Sequence, residues 1–251
     1  AYYMERGLGK RWMGGLFSLC LILAFGLVFN AVQANSIAAA FNVAFNIPHY
    51  AMGIALVIGS GFIIFGGLKT IARFAEVVVP LMAIAYLLLA LYVCAINIEH
   101  LPGVFMTVID HAFGIEQAGA GAIGYGVMQA MIQGIKRGLF SNEAGMGSAA
   151  NAAATATPNP PHTAAQGYVQ MLGVFIDTIV ICSATAALIL LSGQLESGSG
   201  LTGIALTQEA LVTHVGEWGA IFVAIAILFF AFTSIVANYS YAETNLLFLE
   251  H

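Results

Sequence analysis

Charged residues are scarce in this sequence. Only 8% of its 251 residues are Asp, Glu, Lys or Arg, 60% are hydrophobic, and the mean hydropathy is +0.92. No charged residue occurs between Trp12 and Leu68. Soluble domains carry about 25% charged residues, so this composition excludes that class. The apolar runs are continuous rather than alternating, which favours membrane helices over a membrane barrel. We therefore predict an all-α polytopic protein embedded in a lipid bilayer.

Basic clusters and metal-ligand spacings are also missing. Without a Lys- or Arg-rich patch, no nucleic-acid partner is predicted. Cys20, Cys94 and Cys182 all fall inside apolar runs, without the spacing of a disulfide framework or a zinc site. We interpret them as packing residues and predict no cofactor.

The apolar runs predict a series of membrane-spanning helices. They lie at residues 12–45, 50–68, 76–97, 164–191 and 217–242, with a further span entered through the glycine-rich segment at 118–126. The turns are predicted at NIPH (46–49) and TPNPPH (157–162). Residues 99–116 read as an interfacial helix or loop, and 192–216 as a polar connection with room for a short helix.

The few cations indicate the orientation. Arg6, Lys10 and Arg11 precede the first span, and Lys69 and Arg73 lie between the second and third. Because cytoplasmic loops are enriched in Lys and Arg, the chain is predicted to begin inside. The same alternation places 157–163 in the cytoplasm and the connection at 99–117 outside.

GIKRGLFSNEAGMGS (134–148) interrupts the apolar pattern and has two interpretations. Lys136 and Arg137 could mark the cytoplasmic end of a span. Alternatively, Gly138 permits an irregular backbone, Ser141 and Asn142 cap a resumed helix, and Glu143 suits its first turn. Transporters use such broken helices to bind charged solutes and ions.

Asp177 stands near the middle of an apolar span, where a carboxylate is functional by default. A structural ion pair with Arg137 or Lys136 is one interpretation. A cation ligand or a proton acceptor is the other.

The last span carries adjacent hydroxyls at Thr233 and Ser234, with Asn238 one turn after Ser234. Hydroxyl and carbonyl oxygens suit a small hard cation, although such hydroxyls also commonly bond to their own helix. In the first span, Asn30 and Gln33 lie near one face, where amides join helices or contact a solute.

Long stretches resemble the alanine or glycine:cation symporter family, the sodium:alanine symporters. The most specific are GIKRGLFSNEAGMGSAANAAA (134–154) and QGYVQMLGVFIDTIVICSATA (166–186); VQANSIAAAF and FAFTSIVANYSYAE also fit. The similarity covers essentially the whole chain. It implies a fragment of a LeuT-type five-plus-five inverted-repeat transporter, holding the third to eighth core helices. Residues 12–98 would be the last three helices of the first repeat, and 118–251 the first three of the second.

The resemblance also implies roles for individual residues. Phe140, Ser141 and Asn142 would face substrate at the helix break, and Gln33 would face the same cavity. Ser234 and Asn238 would approach substrate from the eighth core helix. Thr233 and Ser234 would hold sodium. Many family members have Trp where this sequence has Asn238, which implies a roomier or more polar pocket.

The resemblance thus implies a symporter of a bacterial inner membrane, not an enzyme, that takes up alanine or glycine with sodium by alternating access. The alternative is proton coupling through Asp177. Two other classes are open from the residues alone. An intramembrane enzyme would use Asp177, Glu143 and a histidine, yet the histidines lie in connections. A structural membrane subunit would bind neither amino acid nor sodium.

Overall fold

The computed structural model of the protein describes residues 1–66, 68–113, 123–143, 145–195 and 200–250. Across these ranges the backbone is helical, with turns between the helices and no strand. The helices are α1 (Tyr2–Leu8), α2 (Arg11–Phe45), α3 (His49–Ile64), α4 (Leu68–Ile96), α5 (Leu101–Phe113), α6 (Ile123–Asn142), α7 (Ala149–Ala153), α8 (Thr163–Leu191), α9 (Gly203–Val215) and α10 (Trp218–Glu250).

Four helices are long and apolar enough to cross a membrane, counting the described residues alone. They are α2 with 35 residues, Ala75–Ile96 of α4 with 22, α8 with 29 and α10 with 33. The second predicted span is shorter than expected, because α3 ends at Ile64 and has 16 residues. At 1.5 Å per residue it covers about 24 Å, less than the ~30 Å hydrocarbon layer.

The turn predicted at NIPH is confirmed, and its residues explain it. α2 ends at Phe45, and the next residue, Asn46, has a φ of 57°. This value lies in the left-handed region that asparagine tolerates. The side chain of Asn42 donates a hydrogen bond to the carbonyl of Ile47 at 3.1 Å. Pro48 then precedes the first residue of α3, where its fixed φ suits a helix start.

The described residues form two compact units. The first, unit 1, contains Ala1–Tyr86 and Ser199–His251, and its core lies where α2, α3 and α10 meet. Ile37, Met52 and Val236 are buried there. α9 also packs on α10, so closely that a Cβ atom on Gly219 would lie 2.9 Å from the Leu211 carbonyl carbon. Only glycine fits at such an approach.

The second, unit 2, contains Leu87–Gly198. The segment predicted as an interfacial helix or loop is the helix α5, which packs on α6 and on the end of α8. α6 in turn packs on a π-helical stretch of α8 at Ile176–Cys182. The turn predicted at TPNPPH is confirmed between α7 and α8, while part of the glycine-rich entry at 118–126 lies outside the described residues.

The helix break exists, but its predicted position is wrong. α6 continues through Gly138 and ends at Asn142, so Ser141 and Asn142 finish one helix and do not cap the next. The irregular backbone follows, with φ of 51° at Glu143, 76° at Gly145 and 75° at Gly147. α7 resumes only after Ser148. Capping propensity misled the prediction because hydrogen bonds to α8 occupy both side chains.

Candidate functional site

Two side chains at the end of α6 bond to two adjacent residues of α8. The Ser141 hydroxyl donates to the Asp177 carboxylate. The Asn142 amide donates to the Thr178 hydroxyl at 2.8 Å, and its carbonyl oxygen lies 3.2 Å from that hydroxyl. Asp177 and Thr178 stand at the start of the π-helical stretch of α8, where the widened turn changes the helical register. The result is a cluster of carboxylate, hydroxyl and amide oxygens beside a helix break.

A side-chain hydrogen bond joins the two ends of the helix break. Ser148, which is fully buried, donates its hydroxyl to the Glu143 carboxylate. The Met146 amide donates to the Glu143 carbonyl at 3.2 Å. Glu143 thus holds both ends of the break together, although its left-handed backbone is uncommon for a residue with a Cβ atom.

The ion pair considered for Asp177 is not formed. Among the described side chains, neither Lys136 nor Arg137 forms a salt bridge with a carboxylate, and both are exposed. The ion pair that the described residues do form joins Arg11 to Glu5 at 3.0 Å, in unit 1. Asp177 is held by a hydroxyl instead of a cation. Phe140, one residue before Ser141, is 37% exposed.

The predicted residues of unit 1 lie on α2 and α10. The hydroxyls of Thr233 and Ser234 both donate to the Phe230 carbonyl, at 2.9 and 3.1 Å. They therefore form the bonds within their own helix that were the alternative interpretation, and their oxygen lone pairs can still accept or bind a cation. Gln33 is half-buried on α2.

Asn238 makes a contact that the sequence did not predict. Its amide nitrogen donates to the Asn30 side-chain oxygen at 2.9 Å, and Asn238 is only 3% exposed. The Asn30 amide nitrogen donates to the Gly26 carbonyl at 3.3 Å. A chain of two hydrogen bonds therefore runs from α10 into α2.

Gln208 is the polar residue that sequence reasoning missed. It is 1% exposed, and its amide donates to the carbonyls of Ala40 at 3.1 Å and Ala220 at 3.0 Å. Its side-chain oxygen is buried without a donor among the described groups. The sequence predicts a polar connection here, yet Gln208 stands three residues before Leu211, on the apolar face of α9. That position on the apolar face was the feature of the sequence that could have identified Gln208 as a buried polar residue.

These arrangements limit the chemistry. Across the described part of the chain, no three His, Cys, Asp or Glu side chains stand close enough together to hold a metal ion. The oxygen donors of Asp177, Ser141, Asn142 and Thr178 are the type that hard cations prefer. Broken helices with polar groups inside apolar helices are characteristic of membrane transporters.

The comparisons with known proteins agree with that class. The family model described as "Sodium:alanine symporter family" matches residues 1–251, and the chain belongs to this family of transporters. It is a multi-pass membrane protein and not an enzyme.

Several bacterial relatives are similar over nearly the whole chain. "Uncharacterized transporter YaaJ" of Escherichia coli (strain K12) is 51% identical over 99% of the chain and 52% of its own length. "Probable sodium/glutamine symporter GlnT" of Bacillus subtilis (strain 168) is 50% identical over 99% of the chain and 51% of its own length. "Sodium/proton-dependent alanine carrier protein" of Bacillus sp. (strain PS3) is 42% identical over 91% of the chain and 53% of its own length. The chain thus spans about half the length of the curated relatives it matches.

Proposed function

We propose that this chain is part of a sodium-coupled symporter that takes up a small neutral amino acid, alanine or glycine, by alternating access. The observation that carries the proposal is the oxygen cluster of Ser141, Asn142, Asp177 and Thr178 at the break between α6 and α7. The family match over the whole chain supports the same function, as does the relative named for alanine. We also propose that the protein lies in a bacterial inner membrane, which the bacterial origin of these relatives supports.

We further propose a LeuT-type five-plus-five architecture. Residues 12–98 would be the last three helices of the first repeat, 99–117 an extracytoplasmic connection, and 118–251 the first three helices of the second repeat. The coverage of about half of each relative supports a longer protein. The remaining core helices would come from the rest of that protein, so transport experiments require the full-length transporter.

The substrate is a zwitterion, and the break offers groups for it. Phe140, Ser141 and Asn142 would contact substrate at the end of α6. The exposed backbone of a broken helix provides N–H groups for a carboxylate and carbonyls for an ammonium group. We also propose three residues of unit 1 as substrate contacts. Gln33 lies on α2, and Ser234 and Asn238 lie on α10.

Sodium is proposed to bind at Thr233 and Ser234. Their hydroxyl protons point to the Phe230 carbonyl, so their lone pairs face elsewhere and can ligate a cation. One sodium ion entering through ~100 mV gains ~2.3 kcal/mol, to which its concentration gradient adds. That energy would drive uphill uptake.

Proton coupling through Asp177 is the second candidate. It is favoured by one observation: the Asp177 carboxylate is bonded to a neutral hydroxyl and to no cation of the described residues. A carboxylate so placed can exchange a proton in the course of transport. The phrase "sodium/proton-dependent" in the name of one relative is consistent with either ion.

Uptake into proteoliposomes separates the two candidates. With an inward sodium gradient and equal pH on both sides, we expect alanine to accumulate above its external concentration. With an inward proton gradient and no sodium, we expect no accumulation. Accumulation driven by the pH gradient alone would overturn sodium coupling and assign the coupling to protons.

The sodium site has a matched test on α10. Ser234→Ala is expected to raise the half-saturating sodium concentration for uptake about 3- to 10-fold, as expected for the loss of one oxygen ligand. Ser240, whose hydroxyl donates to its own helix at the Ala237 carbonyl, is the control. Ser240→Ala should leave sodium dependence unchanged, and equal behaviour of the two variants would count against the site.

A further inference from the structure

We infer that Asn30 is a positioning residue for substrate binding. It orients the Asn238 amide so that Asn238 presents its carbonyl oxygen, and not its NH2 group, to an N–H donor of the substrate. The inference rests on the proposed function, because it takes Asn238 as a substrate contact. Asn30 itself makes no substrate contact and acts through Asn238.

The orientation originates at a backbone carbonyl. The Asn30 amide nitrogen lies 3.3 Å from the Gly26 carbonyl oxygen. That oxygen is only an acceptor, so the group of Asn30 that faces it must be the NH2 end of the amide. The oxygen and the nitrogen of an asparagine amide project in different directions from the same planar carbon. The side-chain oxygen of Asn30 therefore faces away from Gly26, toward α10.

The same reasoning fixes Asn238. The Asn238 amide nitrogen lies 2.9 Å from the Asn30 side-chain oxygen. Because that oxygen is an acceptor, the end of Asn238 that meets it must be the donor end. We call the two hydrogen bonds that link Gly26, Asn30 and Asn238 the relay, and the Asn238 carbonyl oxygen is its last atom. No described group donates a hydrogen bond to that oxygen. Unlike the side-chain oxygen of Gln208, it is not a fully buried atom without a partner.

Packing keeps the relay short. A Cβ atom on Gly26 would lie 3.5 Å from the Ala242 side chain, which is an ordinary van der Waals distance, so α2 and α10 pack against each other here. The rings of Phe25 and Tyr241 meet edge to face beside this contact, with centroids 5.7 Å apart. Asn238 is 3% exposed, so its side chain has little room to rotate.

A carbonyl oxygen recognises a hydrogen-bond donor and disfavours a carboxylate. Two substrate groups share that chemistry: the α-ammonium group of any amino acid, and the side-chain carboxamide of glutamine. Alanine has the first group only, and glutamine has both. Transport of the two amino acids therefore distinguishes which nitrogen the Asn238 oxygen meets.

The experiment is a double-mutant cycle on substrate KM in the full-length transporter, measured with alanine and with glutamine at saturating sodium. Asn30→Leu removes the acceptor for Asn238, and we expect KM to rise about 3- to 10-fold for at least one of the two substrates, with kcat and sodium dependence unchanged. A rise for both substrates assigns the contact to the ammonium group. A rise for glutamine alone assigns it to the carboxamide.

Coupling to Asn238 is the second readout. If Asn30 acts through Asn238, the variant carrying Asn30→Leu and Asn238→Leu should have the KM of Asn238→Leu alone. Additive effects would overturn the inference, as would unchanged KM values for both substrates in Asn30→Leu. Variants too slow for uptake are compared by amino-acid Kd from calorimetry, under the same two criteria.

Controls separate this inference from the proposed function. Asn35, an exposed residue of α2, gives the matched variant Asn35→Leu, which should keep the KM of the unaltered protein. Melting temperatures show whether each variant is folded. If the unaltered protein takes up neither amino acid with sodium, the proposed function fails; if it does so and the cycle shows no coupling, only the role of Asn30 fails.

Discussion

Two serine contacts, one in each unit, have the same form but different surroundings. In unit 1, Ser18 donates to the side-chain oxygen of Asn245 at 3.1 Å, and the two residues are 0% and 1% exposed. In unit 2, Ser141 donates to the carboxylate of Asp177, with Ser141 exposed and Asp177 half-buried. The first pair is neutral and enclosed between α2 and α10. The second contains a carboxyl group, and its serine is exposed.

This difference distinguishes a contact that packs two helices together from a contact that serves transport. A neutral pair buried between two helices satisfies both groups and contributes to helix association in a membrane. A carboxylate inside an apolar span is costly, so its presence needs a task such as binding or proton exchange. The enclosed contact of Ser18 with Asn245 should therefore determine stability, and the contact of Ser141 with Asp177 beside the break should determine transport.

Asp177→Asn should give the largest effect. The substitution keeps the shape of the side chain and removes its charge, so we expect uptake at subsaturating ion concentration to fall about 10- to 100-fold while the protein remains folded. Asp110→Asn on α5 is the matched control in the same unit. Initial uptake rates and melting temperatures measure both quantities. A variant that loses folding but not ion dependence would make Asp177 a structural residue like Ser18.

Ser18→Ala should lower the free energy of unfolding by about 0.5 to 1.5 kcal/mol, because one buried hydrogen bond between α2 and α10 is lost. Ser36 on the same helix is the control, since its hydroxyl donates to the Val32 carbonyl of α2 itself. Ser36→Ala should stay within about 0.5 kcal/mol. Chemical denaturation in detergent measures the two values, and equal losses would remove the distinction between enclosed and surface contacts.

Gly145→Ala and Gly138→Ala locate the helix break with the smallest energies. Gly145 has a φ of 76°. Alanine in that left-handed conformation should cost roughly 1–2 kcal/mol. Gly138 lies inside α6 with no atom within 4 Å of an added Cβ. Alanine there should be neutral or stabilise by about 0.5–1 kcal/mol. The opposite order of melting temperatures would move the break back to Gly138.

Long apolar segments were predictable because a membrane imposes one requirement on every residue of a span. The uncharged stretch from Trp12 onward predicted a helix to Phe45, and α2 runs from Arg11 to Phe45. Local turn chemistry was equally informative at Pro48, directly before the start of α3.

Tertiary contacts were not predictable in the same way. Ser141 and Asn142 have the chemistry of helix caps, but hydrogen bonds to residues 36 positions later hold them at the end of α6. Gln208 was predicted to lie in a polar connection. The two carbonyls that it bonds belong to other helices and are distant from it in the sequence. No local pattern identifies such partners. The break itself was predictable, and its position was not.

The most direct test of sodium-coupled symport is to run the transporter with the amino acid as the driving solute. Proteoliposomes that hold the full-length protein are given equal sodium and pH on both sides and an inward gradient of alanine, and radioactive sodium uptake is followed. We predict that sodium accumulates above equilibrium until the alanine gradient is spent. Alanine entry without net sodium movement, or with acidification of the interior instead, would contradict sodium coupling.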